Sequence, residues 1–557
     1  MKLFPFVVYI HSLPSVCGYN DFQLLQQPEV IQSECAQQVR IGHNARILSR
    51  TLIVNLDVVV SRFKSRLISF NTRSYSGRIP APTIKICRGD TLIMRITNML
   101  SEHEDANITN LHAHGLHVSP EWHFDNVLTK IASGETLEFV YTIAFEHPTG
   151  TFWYHPHHHG SVNTQITGLM AGALIVVDDE YHPLFPTQLA MMEDIVMVLQ
   201  GICFINCTNN HDTIISALVN RYGNVEPRSS DFWTQVEVDP SISMIQDMTQ
   251  VHLIVNGQYV PRLTLITGEF KRFRWINAIS NNLVELISPE CEMFAIASDG
   301  VYRNGPPLQK AVLVIPPGGR SDILIRCKQA GTYLISAESA ASRVHLLGKV
   351  NDHRVASQPI VTLEVYDDIE RMSTIVTELP LKLPFEYEHV VNLVDIPSAA
   401  IPEYNKYDYE FSMETIPDPS IPNKSKDIYS VNRKVFDEQY INHTMRVNEV
   451  QEWQISTRNY GTGCDPIQPS HLPCKRLVHP FHIHATNFQI VAKEKDFDPF
   501  DLLYEIGEWR DTIPIYYEAK ILVRFMPKNH MIGRVLTHCH ISSHSDQGMA
   551  QMTQVIT

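Results

Sequence analysis

The stretch Ala311-Val312-Leu313-Val314-Ile315-Pro316-Pro317-Gly318-Gly319-Arg320-Ser321-Asp322-Ile323-Leu324-Ile325 reads as two short apolar runs separated by turn residues. β-Branched runs of this length, bounded by Pro and Gly, are strand signals. Working outward, the same reading applies to Thr91–Ile96, Thr136–Tyr141 and Val251–Val255. No long amphipathic helix interrupts them. Many short strands at regular spacing predict an all-β chain of packed sandwiches. A Gly-acid pair beside a strand recurs as Gly89-Asp90, Gly134-Glu135 and Gly268-Glu269, a weak internal echo that supports repeated domains.

The chain has 557 residues, enough for three or four domains at roughly 150 residues each. Seven prolines fall between Pro380 and Pro422, which predicts a linker and an irregular start to a last domain. The expected division is a candidate signal at 1–17, an N-terminal extension at 18–45, and domains at 46–180, 181–375 and 376–557. The net charge of −15 argues against nucleic-acid binding, which usually needs a basic patch. Outside the extreme N-terminus no apolar run approaches the ~20 residues of a membrane helix.

Lys2, the apolar run Leu3–Ile10 and the small residues Ser15, Cys17 and Gly18 follow the order of a secretory signal, although Pro5, His11 and Pro14 interrupt it. The ten cysteines are too few for a disulfide scaffold and include no Cys-x-x-Cys. Cys203 and Cys207 are close in sequence, as are Cys464 and Cys474, and either pair could be bridged. Sequons at Asn107, Asn206, Asn423 and Asn442 make a secreted glycoprotein an expectation.

The histidines carry the chemistry. There are 27 of them, and histidine is the commonest metal ligand. Four separate His-x-His pairs occur: His112/His114, His155/His157, His482/His484 and His538/His540. In a strand, residues i and i+2 share a face, so each pair can offer two imidazoles to one site. Two pairs lie near each end of the chain, so one site fed by all four must lie between the first and last domains. Eight imidazoles exceed the ligand set of a structural zinc and suit a multinuclear transition-metal cluster. Cys539 points opposite to His538 and His540, and His479 is at an odd offset from His482 and His484. His479, Cys539 and His544 can therefore meet on a second metal, with Met549 as a weak axial donor: a blue-copper set. The strand carrying Cys539 would link the two sites.

These motifs resemble the three-domain multicopper oxidases, which include laccases, ascorbate oxidase, bacterial copper-efflux oxidases and ferroxidases. The matching stretches are Leu111-His112-Ala113-His114-Gly115, Trp153-Tyr154-His155-Pro156-His157, His479-Pro480-Phe481-His482-Ile483-His484, and His538-Cys539-His540 through Met549. Pro80–Ile84, Val255-Asn256-Gly257, Pro316–Arg320 and Trp509-Arg510-Asp511-Thr512 match more weakly. The resemblance covers roughly residues 46 to 557. It implies three cupredoxin-like Greek-key β-sandwiches and four copper ions. The implied type 1 ligands are His479, Cys539, His544 and axial Met549. The implied type 2 ligands are His112 and His482. The type 3 pair would share His114, His155, His157, His484, His538 and His540. Cys539, His538 and His540 would carry electrons, and Asp125 would serve proton delivery near the type 2 copper.

Some positions depart from the family pattern. Ala113 stands where a tryptophan is common and Ala81 where a glycine is common; neither change removes a ligand. Ser545 replaces an acidic residue that some bacterial members use for proton delivery. His158 and His159 extend the second motif and are read as neighbours of the site or as solvated residues. The implied reaction is one-electron oxidation of a small reducing substrate, phenols or aromatic amines first, coupled to reduction of dioxygen to water. The runner-up is oxidation of Fe(II) or Cu(I), with Asp496, Asp498, Asp501 and Asp546 as candidate carboxylates; the cluster Met191, Met192, Met197 reads as strand core. A non-catalytic copper-binding cell-surface protein is the alternative of another class.

Overall fold

The computed structural model describes residues 23–35, 38–41, 44–47, 49–66, 68–102, 105–180, 185–203, 237–238, 251–338, 355–384, 392–417, 425–460, 477–494, 503–517 and 519–557. The candidate signal, Asn206, Cys207, Asn423, Cys464, Cys474, Asp496, Asp498 and Asp501 lie outside them. The described chain is built of strands; its helices are one or two turns long. No helix among the described residues is long and apolar enough to cross a membrane.

Six large sheets pair into three cupredoxin-like sandwiches. In the first, the sheet containing Thr51–Lys64, Thr91–Asn98 and Thr136–Thr142 faces the sheet containing Ala81–Ile86, Gly172–Val176, Gly150–His155 and His112–His114. The alternation in Thr91–Asn98 is regular: Leu92, Met94 and Ile96 are wholly buried and their neighbours are not. That is the period of a strand with one face on the core. The same plan recurs in the other two sandwiches. Each has a parallel pair inside one sheet: Thr51–Lys64 with Thr91–Asn98, Asp194–Cys203 with Lys271–Asn277, and Lys406–Pro417 with Gln451–Asn459. The Gly-acid echo marks turns in this plan, since Gly89, Gly134 and Gly268 all have positive φ, which glycine alone adopts without strain.

The stretch expected as an N-terminal extension is built into the fold. Val30–Gln32 adds a parallel edge strand to the first sandwich, and Cys35 is bonded to Cys87. Leu25 N–H donates to Arg262 O in the second sandwich. A second disulfide joins Cys291 and Cys327 on neighbouring strands. Glu237–Val238 pairs with Ile68–Tyr75 of the first sandwich, although it falls within the stretch assigned to the second domain.

Two expectations change at the level of single side chains. Asn107 is buried, with Nδ2 donating to Ser101 and Oδ1 accepting from Arg73, so the folded chain cannot carry a glycan there. Met197 is strand core and Met192 is buried. Met191, however, ends a short helix and is 66% exposed.

Candidate metal centre

Four strands deliver the histidine pairs to the seam between the first and third sandwiches. His112 and His155 sit opposite each other across one strand pair, and His482 and His538 across another. Strand alternation accounts for only part of the placement. His112 and His114 share a strand, but His157, His484 and His540 lie just past the strand ends at His155, Ile483 and Cys539. The turns that follow aim those three rings.

The eight imidazoles interleave. His112 stacks on His484 with centroids 4.0 Å apart, and His114 stacks on His482 at 3.8 Å. Each stack joins the first sandwich to the third. Three donor groupings result: His112, His114 and His482; His114, His155 and His540; and His157, His484 and His538. His538 Nε2 lies 3.1 Å from His157 Nε2 and 3.2 Å from His484 Nε2.

The outward nitrogens are held and the inward ones are not. His112 Nδ1 donates to Asp125 Oδ2 at 2.8 Å, and Asp125 Oδ1 accepts from Ala113 N–H. His155 Nδ1 donates to Pro156 O, His482 Nδ1 to Asp511 O, and His538 Nδ1 to Cys539 O. The Nε2 atoms of His112, His114, His155, His482 and His540 are buried with no hydrogen-bond partner. Buried polar atoms are otherwise nearly always paired. Outer nitrogen bonded, inner nitrogen free is the arrangement metal-ligating histidines show. Burial, followed by the crowding of neighbouring imidazoles, holds these rings well below the usual histidine range. They stay neutral, as metal binding requires. The residues fit copper.

The second centre lies on the opposite face of the same strand. Cys539 Sγ is 3.6 Å from His479 Nδ1 and 3.7 Å from His544 Nδ1, and the two nitrogens are 3.1 Å apart. Cys539 is the one free cysteine among the described residues. Burial pushes its thiol up, a preference that metal coordination reverses. Met549 is fully buried; its N–H donates to His544 O and its carbonyl accepts from Cys539 N–H. That fixes the loop from Cys539 to Met549 as one closed turn. The two imidazoles are sealed, His479 at 1% and His544 at 0% exposure. Tyr429 stacks on His544 with centroids 4.1 Å apart.

Several neighbours went unread in the sequence. Arg320, Asp299 and Asp511 form a buried network behind His114 and His482. Their only advance signal was the weak match of Pro316–Arg320 and Trp509–Thr512. Trp153 stacks on His155 at 4.2 Å. Asp546 is engaged: its carboxylate accepts from the N–H groups of Gly160 and Asn163. His159 is exposed and packs edge-on against Phe436. A cavity of about 290 Å³ at the seam of the second and third sandwiches is lined by Arg303, Glu505, Glu508 and Trp509, and none of the converging histidines faces it.

Comparison with known proteins agrees with this geometry. Two family models, both described as multicopper oxidase, match residues 66–181 and 406–556. The multicopper oxidase mco of Staphylococcus aureus is 23% identical over 495 residues, covering 87% of this chain and 84% of that protein. The iron transport multicopper oxidase FET5 of Saccharomyces cerevisiae is 23% identical, covering 88% and 76%. The solved multicopper oxidase of Campylobacter jejuni, described as a metallo-oxidase, superposes with a TM-score of 0.63 at 18% identity, covering 96% of this chain and 98% of that one. A laccase of Pediococcus acidilactici gives 0.63 at 17%, covering 97% and 95%. With both end sandwiches matched by the family and the histidines of both gathered at their seam, the chain belongs to the multicopper oxidases, enzymes that oxidise a reducing substrate at the expense of dioxygen.

Proposed function

We propose that the chain holds four copper ions. His479, Cys539 and His544 hold the type 1 ion, with Met549 axial. His112 and His482 hold the type 2 ion. The type 3 ions divide the remaining six imidazoles into His114, His155, His540 and His157, His484, His538. Copper in these places supplies one-electron redox chemistry at the sulfur site and multi-electron reduction of dioxygen at the histidine cluster. The observation that carries the reading is the set of buried, unpartnered Nε2 atoms facing one another across the seam.

The chain's own residues do the rest. Cys539 lies between His538 and His540 in sequence, so one peptide segment joins the two centres. Asp125 fixes the His112 ring and, with its carboxyl pushed up to about 8 by burial, is suited to hold a proton beside the cluster.

The sealed type 1 imidazoles bear on the substrate. An aromatic ring has no imidazole edge to touch, which favours a small metal-ion donor, Fe(II) or Cu(I), over the phenols and aromatic amines that resemblance to laccases suggests. The carboxylate Asp546 does not help this choice, because backbone N–H groups occupy it. A secreted or extracytoplasmic location fits the disulfides Cys35–Cys87 and Cys291–Cys327, which persist in oxidising compartments.

The test combines metal analysis with turnover. Cys539→Ser should lose the blue absorption and oxidase activity and keep the fold. His112→Ala should keep the blue absorption and lose oxygen reduction. A blue, active C539S variant refutes the type 1 assignment. Fe(II) and a simple phenol should be assayed side by side, and a higher kcat/KM on the phenol returns the laccase reading.

A further inference from the structure

The second sandwich supplies none of the proposed ligands, yet its turn Pro316–Arg320 lies against the cluster. A Cβ added at Gly318 would fall 2.6 Å from the His540 ring. One at Gly115 would fall 2.3 Å from Arg320 Nη2 and 2.8 Å from Asp511 Oδ2. Two glycines therefore admit a guanidinium and an imidazole where any side chain would push them away.

Arg320 is wholly buried. Its Nη1 donates to Asp511 Oδ1 at 2.7 Å and its Nη2 to Asp511 Oδ2 at 2.5 Å. Nη1 also donates to His114 Nδ1 at 3.1 Å and to Gly318 O at 3.0 Å. Nε faces Thr151 O at 3.3 Å. Asp511, gripped at both oxygens, presents its backbone carbonyl to His482 Nδ1 at 2.9 Å. Asp299 closes the network, accepting from the backbone N–H groups of Arg320, Asp511 and Thr512. One planar guanidinium thus touches a histidine of the first sandwich and the residue that orients a histidine of the third. His114 and His482 are the pair stacked at 3.8 Å.

We propose that Arg320 is the positioning residue of the histidine cluster, and that through it the ligand-free second sandwich sets the spacing of His114 and His482. The inference rests on the ligand assignment above. Lysine keeps the charge but cannot bridge two partners in a fork, so Arg320→Lys separates geometry from charge. Arg274→Lys is the matched control. Arg274 is an equally buried arginine of the same sandwich, paired with Asp178, Asp194 and Asp322 and with no cluster histidine.

The experiment uses copper-loaded protein. The visible type 1 band is the internal standard for folding, and the type 2 EPR signal and copper retention against a chelator are the readouts. R320K should keep the visible band per chain and give up type 2 copper about 10–100-fold more readily than the parent, the loss usual for an outer-shell partner. R274K should follow the parent. An R320K variant with the parent's type 2 signal and chelator resistance overturns the proposal. If R320K yields no folded protein, Gly318→Ala decides, since its Cβ presses on His540 without altering the ion pair. An intact visible band with an altered type 2 or type 3 spectrum supports the proposal, and an unaltered spectrum overturns it. A parent without any type 2 signal overturns the ligand assignment itself, and this inference with it.

Discussion

Removing copper should leave a protein that acid unfolds from the inside of its metal site. Burial lowers all eight cluster histidines. For His538 the folded value falls to about 4 and for His155 to about 3, against roughly 6.5 in the unfolded chain. The folded state therefore refuses protons that the unfolded state accepts. The stability held by the neutral rings is complete above pH ~6.5 and is lost as the pH falls, down to about 4 for His538 and about 3 for His155. At pH 4.5 each such ring costs about 2.5 kcal/mol, at ~1.4 kcal/mol per pH unit. Two rings remove about 5 kcal/mol, a large part of the roughly 5–15 kcal/mol that holds a typical domain. Two carboxyls act with the opposite sign. Burial raises Asp125 to about 8 and Asp511 to about 6, so their contributions grow as the pH falls. Eight imidazoles outweigh two carboxyls, and the net effect of acid is loss.

The assay is proton uptake on urea unfolding of the metal-free protein at pH 5, followed by pH-stat, which needs no assumption of two-state unfolding across three domains. The parent should take up several protons per chain from this site. His538→Gln should take up about one fewer, and its stability should fall with pH less steeply by about 1.4 kcal/mol per unit. No net uptake by the parent, or identical uptake by parent and H538Q, would refute the reasoning that these rings are held neutral by burial.

Three further outcomes follow from named contacts. Met549→Leu should keep copper and the blue colour while raising the type 1 potential, because losing a weak axial donor destabilises Cu(II) more than Cu(I); each ~60 mV in a redox titration is a tenfold shift in that balance, and an unchanged potential returns Met549 to core packing. Asp125→Asn should slow reoxidation of the reduced enzyme by dioxygen, seen in stopped flow, about 10–100-fold as for a ligand-orienting partner, with anaerobic reduction of the blue centre unchanged; equal reoxidation rates remove its role. Tyr429→Ala should uncover His544 and raise kcat/KM on a phenol several-fold relative to Fe(II), whereas a parallel change for both donors would show that the stack does not select substrates.

Much of this was legible in the chain itself. Period-two alternation in stretches such as Thr91–Asn98 is enough to read strands, and turn residues at Gly89 and Gly134 are enough to separate them. The spacing of His538, Cys539 and His540 places imidazoles and thiolate on opposite faces because strand geometry is local. Local geometry also explains why the candidate ligands could be named from sequence. Other features depend on how distant segments pack. The division of six imidazoles into two triads depends on how the first and third sandwiches interleave, His112 on His484 and His114 on His482, across more than 300 residues of chain. Three of the rings are aimed by turns beyond the strand ends, where periodicity no longer applies. The burial of Asn107, the cover that Tyr429 gives His544, and the edge strand Val30–Gln32 are contacts made only after folding. Arg320 is the sharpest case. Its side chain reads as an ordinary strand-end arginine, and only the meeting of three sandwiches turns its guanidinium toward His114 and Asp511. Sequence fixes which face a side chain takes; tertiary packing fixes what that face meets, because the partner lies on another domain and no short-range pattern encodes it.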